Sequence, residues 1–416
     1  MKKISETFAF KAIAGVLIAC LAGALILVPS FRAYSNKMDT RNAETVETAE
    51  AVEAAADPAE ETAAAETPAV NPGDAADAEE LNAMLKAHVA DYPADATVLT
   101  VNGEPVDWEQ YYYMVCNTVT YMANYYGYYG ATLNFPSCLT EVSGDVEMQD
   151  YIMESAASQA GYNALVITKA QEYGAEPDEE WIRAQIDATI EGTGGEEAYR
   201  ELLDSVCLSE EGYRAILVST SLEQGIFNSL YGEQCEKVTQ EQLDDYIDAN
   251  SLVRAKHILL TFTEETTDED KAELHARMEG WLAELQAIDD PAAREARFDE
   301  LMNENSEDPG TQTYPDGYVF GPGKMVAEFE DAAFALEDHA LSDIVETSYG
   351  YHILLRLPLG PEAVIDYDSS TYEPITLRSA VAEELFNTLI TEWVAETETV
   401  FAPEFENFKL AEMFAA

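Results

Sequence analysis

The tetrapeptide His-Ile-Leu-Leu occurs twice, at 257–260 within AKHILL and at 352–355 within GYHILL. The chain has only five histidines in 416 residues. Each copy lies in a run with strand character, VRAKHILLTF at 253–262 and YHILLRL at 351–357. A short run that stays apolar on consecutive positions fits a strand covered on both faces, and a polar ring inside it must be hydrogen-bonded. One histidine in such a strand reads as a satisfied core residue. Two in matched context, with Asp308, Met325 and Phe329 between them, read as a shared site.

The elements around the repeat form one unit of α/β size. After the first strand, DEDKAELHARMEGWLAELQAI reads as a helix capped at Asp268, and Pro291 opens a second helix over AAREARFDELMNEN. A Gly/Pro-rich loop (308–324), the helix VAEFEDAAFAL, the strand DIVET and a turn at 348–350 lead into the second histidine strand. The order is β-α-α-β-α-β-β, and the expected domain is 251–360.

The flanking sequence is helical. A strand (97–101), an Asn102-Gly103 turn and Asp107 as N-cap lead into a tyrosine-rich helix from Trp108 to about Tyr126. Helical patterns follow at 146–173, 178–191, 195–206, 209–231 and 239–249. The last opens on Thr239 with Gln242 three residues on, a capping box. The tyrosines at 111–113, 121, 125, 126, 128 and 129 are too many to face one core. They read either as packing with an amphipathic surface or as a lining for extended polypeptides. After Pro361 the helical texture returns: Leu377, Val381, Leu385, Leu389 and Trp393 fall on every fourth residue. That stripe must be buried, and the expected solution is that 361–416 packs back on the lobe at 81–250, with the α/β domain inserted between them.

With 80 acidic and 22 basic residues the formal net charge is −58, which argues against a nucleic-acid partner. At the N-terminus, Lys2, Lys3 and Lys11 precede an apolar run over 12–28. Residues 1–34 therefore read as a signal anchor or signal peptide that leaves the bulk of the chain extracytoplasmic. An uncleaved single-pass anchor in the cell membrane, cleavage after Ser30 with secretion, and lipidation at Cys20 remain open. Residues 35–80, rich in Ala and Glu and without a base between Arg41 and Lys86, read as a disordered acidic linker. Cys116, Cys138, Cys207 and Cys235 read equally well as disulfide partners and as buried thiols.

The segment 253–358 resembles the parvulin family of peptidyl-prolyl cis-trans isomerases (rotamases). The resemblance rests on AKHILL, NSEDPG, GPGKMVAEFEDAAFAL and ETSYGYHILL, in the family's order. VLTVNGEPVDWEQYYY and the helices around it look like the chaperone lobe of exported foldases of the PrsA and SurA type, and the N-terminal tether fits the PrsA side better. The resemblance implies an α+β fold: a helical chaperone lobe with an inserted parvulin domain, whose four-stranded antiparallel sheet sets the two histidine strands side by side. It implies catalytic roles for His257, Asp308, His352 and Thr347, and substrate contacts from Met325, Phe329, Phe320 and Tyr349. No cofactor and no metal are implied. The implied partners are unfolded or newly exported proline-containing polypeptides, and the cytoplasmic membrane through the N-terminal segment; a homodimer is left open. The chain departs from the family at Pro315-Asp316-Gly317-Tyr318, where parvulins carry Gly-Asp-Leu-Gly, and at Tyr349, where a hydroxyl residue is common. The acidic run TEETTDEDK opposes phosphoserine-proline substrates. The alternative reading is a holdase chaperone whose parvulin domain only binds.

Overall fold

The computed structural model describes residues 74–75, 77–128, 131–143, 146–368 and 373–415. The expected membrane segment at 12–28 and nearly all of the expected acidic linker lie outside them. No helix among the described residues is long and apolar enough to cross a membrane.

The chain runs α1 (Ala78–Ala87), β1 (Thr97–Val101), β2 (Glu104–Asp107), α2 (Trp108–Tyr128), β3 (Val142–Ser143), β4 (Val146–Glu147), α3 (Met148–Tyr173), α4 (Glu179–Thr193), α5 (Glu196–Ser205), α6 (Glu210–Tyr231) and α7 (Gln240–Asn250). It continues through β5 (Val253–Thr261), α8 (Asp268–Gln286), α9 (Pro291–Asn305), β6 (Tyr318–Phe320), α10 (Ala327–Ala335), β7 (Val345–Glu346) and β8 (Gly350–Leu357). It ends with β9 (Val364–Tyr367), β10 (Pro374–Thr376), α11 (Leu377–Ala395), β11 (Thr399–Phe401) and α12 (Leu410–Met413). Two compact units result: one runs to Ser229 and resumes from Asn387, and the other takes Leu230–Phe386.

In the first, helical unit, β1 pairs antiparallel with β2 on one side and with β11 on the other. The C-terminal strand is thereby tied to the first one. α2 is buried nearly all round over its first three turns: Trp108 and Tyr111 to Cys116 are all buried. Trp108 stacks on Tyr112 at 4.8 Å, and Tyr92 bridges from Trp108 to Phe405. The same helix ends in the open, with Tyr121, Tyr125 and Tyr128 exposed. Cys116, Cys138 and Cys207 in this unit and Cys235 in the other are buried free thiols.

In the second unit the sheet order is β6-β5-β8-β7, antiparallel throughout. One face carries Ile258, Leu260, Tyr351, Ile353 and Leu355 and is covered by Met278 and Leu285 of α8 and Phe298, Leu301 and Met302 of α9. The other face carries Val253, Ala255 and Leu354 and packs on Phe320 and on Phe329 and Ala333 of α10. With a layer on both faces, β5 is buried at nearly every position. Lys256 points to the α8/α9 side. Although only 3% exposed, it is ion-paired with Glu295 at 3.1 Å and Asp299 at 2.7 Å, which a buried ammonium requires.

Three local expectations change. The lobe expected from 81 opens earlier, on a helix that starts at Ala78, where the Asp77 carboxylate accepts from the amides of Glu79 and Glu80. α8 is capped by Thr267, not Asp268, in a reciprocal box with Asp270. Along α11 the fully buried positions are Leu377, Val381, Ala382, Phe386, Ile390 and Trp393, while Leu385 and Leu389 are half-buried. A step of four residues overshoots a 3.6-residue turn by about 40°, so a strict every-fourth stripe rotates off the buried face. The Thr239/Gln242 box forms as expected.

Candidate active site

The two tetrapeptides lie against each other. His257 is opposite Leu354, Ile258 opposite Ile353, and Leu259 opposite His352. This antiparallel register gives the two copies a local two-fold about the Ile258–Ile353 pair. Alternation along each strand puts both histidines on the α10 face as diagonal neighbours. Their rings stack with centroids 5.2 Å apart, and Nδ1 meets Nδ1 at 3.1 Å. Both rings are buried.

The outer nitrogens have different partners. His257 Nε2 lies 2.8 Å from Asp308 Oδ2, and His352 Nε2 lies 2.9 Å from Thr347 Oγ1. Asp308 is held by backbone: Glu307 N donates to Leu259 O at 2.9 Å, and Leu259 N donates to Ser306 Oγ at 3.1 Å. β6 pairs with β5 only over 253–255, so the segment after α9 occupies the strand edge further along. The Glu307 carboxylate accepts from Thr261 N and Thr261 Oγ1, fixing that edge. Asp308 Oδ1 accepts from Gly310 N at 3.1 Å, and Oδ2 also accepts from the Tyr318 hydroxyl at 2.7 Å. At the other end Thr347 Oγ1 accepts from Tyr349 N at 3.1 Å.

With both imidazoles neutral, the donors run one way. Thr347 O–H gives to His352 Nε2, His352 Nδ1–H to His257 Nδ1, and His257 Nε2–H to the Asp308 carboxylate. Burial pushes the Asp308 pKa up, but the hydrogen bonds from His257, Tyr318 and Gly310 N outweigh it and hold the acid down at about 2. Burial lowers the pKa of His352 to about 4; the neighbouring His257 adds to the effect and Asp308 opposes it. Burial and the Asp308 charge push the Tyr318 phenol up, so it stays a donor.

An apolar wall adjoins the series. Phe329 meets His257 edge-on at 5.1 Å and His352 at 5.5 Å, and Phe320 lies 5.9 Å from Phe329. Met325, half-buried, packs on the same cluster. Seven of the eight site residues expected from the sequence are thus brought together. Tyr349 joins only through its backbone; its side chain is 60% exposed. Among the described residues, no group of three His, Cys, Asp or Glu side chains could hold a metal ion.

Two residues escape the sequence reading. Tyr318 shares the parity of Phe320 on β6, so an inward phenylalanine at 320 already implied an inward ring at 318. Glu330, in the first turn of α10, accepts from the amides of Gly323, Lys324 and Met325 and so fixes the loop that carries Met325. Those hydrogen bonds, led by that of Gly323, lower its pKa.

Residues 257–357 match the family model described as Rotamase, PPIC-type PPIASE domain. The foldase protein PrsA of Geobacillus kaustophilus is 39% identical over 120 residues, 28% of this chain and 36% of its own. The foldase protein PrsA of Oceanobacillus iheyensis is 31% identical over 210 residues, 50% of this chain and 60% of its own. The second match is longer than the span of the family model and so extends outside it. The chain thus spans 36% to 60% of the length of these relatives. A solved structure of PrsA from Bacillus subtilis aligns with 62% of this chain and 89% of its own at 22% identity, with a TM-score of 0.24, too low to support an argument about arrangement. Residues 257–357 therefore belong to the parvulin-type, PPIC-class peptidyl-prolyl isomerase domains, within a chain similar to PrsA foldases.

Proposed function

We propose that this chain is an exported foldase that catalyses cis–trans isomerisation of X–Pro bonds in newly exported, unfolded polypeptides and holds those clients on its helical unit. The observation that carries the reading is the series Thr347–His352–His257–Asp308, hydrogen-bonded end to end beside the Phe320/Phe329 wall. Rotation about a peptide bond meets a barrier of ~18–20 kcal/mol, and uncatalysed prolyl exchange takes tens to hundreds of seconds. No covalent bond breaks. The site need only bind the twisted amide more tightly than the planar one, each ~1.4 kcal/mol of preference giving a tenfold gain.

In this reading Phe320, Phe329 and the flexible Met325 take the proline ring. Asp308 faces the carbonyl that rotates, and the two imidazoles and Thr347 fix its orientation. Neither histidine acts as a general base, since isomerisation transfers no proton overall. Functionally, the isomerase is 251–360, and the client-holding lobe is 81–250 with the returning segment 361–416. The exposed Tyr121, Tyr125 and Tyr128 at the end of α2 support client contact there. The lysines before the apolar run at 12–28 support attachment to the cell membrane, with residues 35–80 as tether.

The test is NMR exchange spectroscopy on unphosphorylated Ala-Pro and Lys-Pro peptides with the whole chain. Accelerated exchange is expected, and a phosphoserine-proline peptide should be turned over less well. Suppression of client aggregation without any acceleration would leave a holdase.

A further inference from the structure

The departure from the family's Gly-Asp-Leu-Gly run is not a simple loss, because Gly317 and Tyr318 change the same corner together. Gly317 has φ +93°, and a Cβ there would lie 2.8 Å from Ala255 O, so a leucine cannot occupy the position in this backbone. The next residue, Tyr318, turns its ring inward: it is edge-on to His257 at 5.7 Å and packs on the Phe320/Phe329 cluster. Its hydroxyl reaches Asp308 Oδ2. The space for that hydroxyl exists because residue 310 is glycine, where a Cβ would fall 1.8 Å from the Tyr318 oxygen. Behind it, Tyr314 lies 5.0 Å from the Tyr318 ring and Tyr367 lies 5.5 Å from Tyr314. The Tyr367 hydroxyl donates to Thr313 O at 2.8 Å, anchoring the stack.

We propose that Tyr318 replaces the missing leucine as a wall of the prolyl site and is also a positioning residue, its hydroxyl aiming the Asp308 carboxylate. This rests on the isomerase reading above. A leucine in the wall contributes only apolar area. Tyr318 does that and also donates to the oxygen that His257 contacts, so Asp308 Oδ2 is fixed from two sides and cannot rotate away from the ring. The ring and the hydroxyl then have separable roles.

Two variants separate them in the whole chain. Tyr318→Phe keeps the ring; it should leave the affinity for an Ala-Pro peptide within about twofold while the Asp308 carboxyl titrates half a unit or more higher, read by carboxyl-carbon NMR. Tyr318→Ala removes the ring; it should weaken peptide binding about fivefold or more, read by NMR titration. An unchanged Asp308 titration in Tyr318→Phe, or unchanged peptide affinity in Tyr318→Ala, overturns the proposal. Both readouts are binding measurements. If the wild-type chain accelerates no exchange, the isomerase reading fails while these two arms still decide the role of Tyr318.

Discussion

In the helical unit, Tyr112 donates to Leu85 O at 2.8 Å, Trp108 to Val89 O at 2.9 Å and Thr118 to Met114 O at 2.8 Å. Each of these three meets a backbone carbonyl first, with only side contacts beyond it: Thr118 also accepts from Gln159 Nε2 at 3.5 Å, and Tyr112 is also hydrogen-bonded to Cys116. In the sheet unit the buried polar side chains on the α10 face bond to one another: Thr347, His352, His257 and Asp308 form one line. A group satisfied by backbone carries only its own share of stability, whereas a group in a line sets the state of its neighbours. Substitutions in the first unit should therefore be read out in melting, and substitutions in the second in pH dependence and turnover.

The largest expected effect is on acid stability. His352 titrates near 4 in the fold against 6.5 unperturbed. Between those values the unfolded chain binds a proton that the folded chain refuses, so stability is full above pH 6.5 and falls as the pH drops towards 4. At ~1.4 kcal/mol per unit the loss reaches about 3 kcal/mol. Urea melts at pH 7 and 4.5, followed by the methyl signal of Ile353, should show that slope, and His352→Asn should flatten it. Ile152, in a unit with no buried histidine among its described residues, should not report it. A slope of equal size at both methyls would break the comparison.

Next, Asp308→Ala should lower kcat/KM by roughly a hundredfold, about 2.7 kcal/mol of transition-state binding, with the β5 and β8 amide shifts retained. Tyr112→Phe should do the reverse. It takes from Leu85 O the shorter of its two donors, the other being the His88 amide at 3.2 Å, and destabilises the helical unit by about 1 kcal/mol, with isomerase kinetics unchanged. The smallest effect sharpens the picture within the sheet unit: Glu330→Ala frees the 323–325 loop and should raise KM about threefold with little change in kcat, since only the placement of Met325 is loosened.

Much of the sheet unit was legible because its constraints are local. A four-residue apolar repeat, read at period two, places both histidines on one face once the strands pair. Tyr318 was legible in the same way through Phe320, but a comparison of motif letters hid the side-chain parity. The helical unit is harder to read. Tyr111 to Tyr113 and Tyr121 to Tyr128 have the same texture in the sequence, yet the first set is buried and most of the second exposed. The difference is set by which part of α2 is enclosed by α1, α3 and the β1–β2 ribbon, a tertiary fact that no window along the helix contains. The α11 stripe was misread for a simpler reason, the fractional helical turn.

The register of the repeat has one more consequence. Turned about the Ile258–Ile353 pair, the two tetrapeptides superpose residue for residue, and nothing within either copy distinguishes left from right. The sign is written by the residues that terminate the row, a carboxylate at 308 and an alcohol at 347. Exchanging them, Asp308→Thr with Thr347→Asp, would send every proton donor in the row pointing backwards. The paired histidines accept either orientation of the row, and two loop positions choose which.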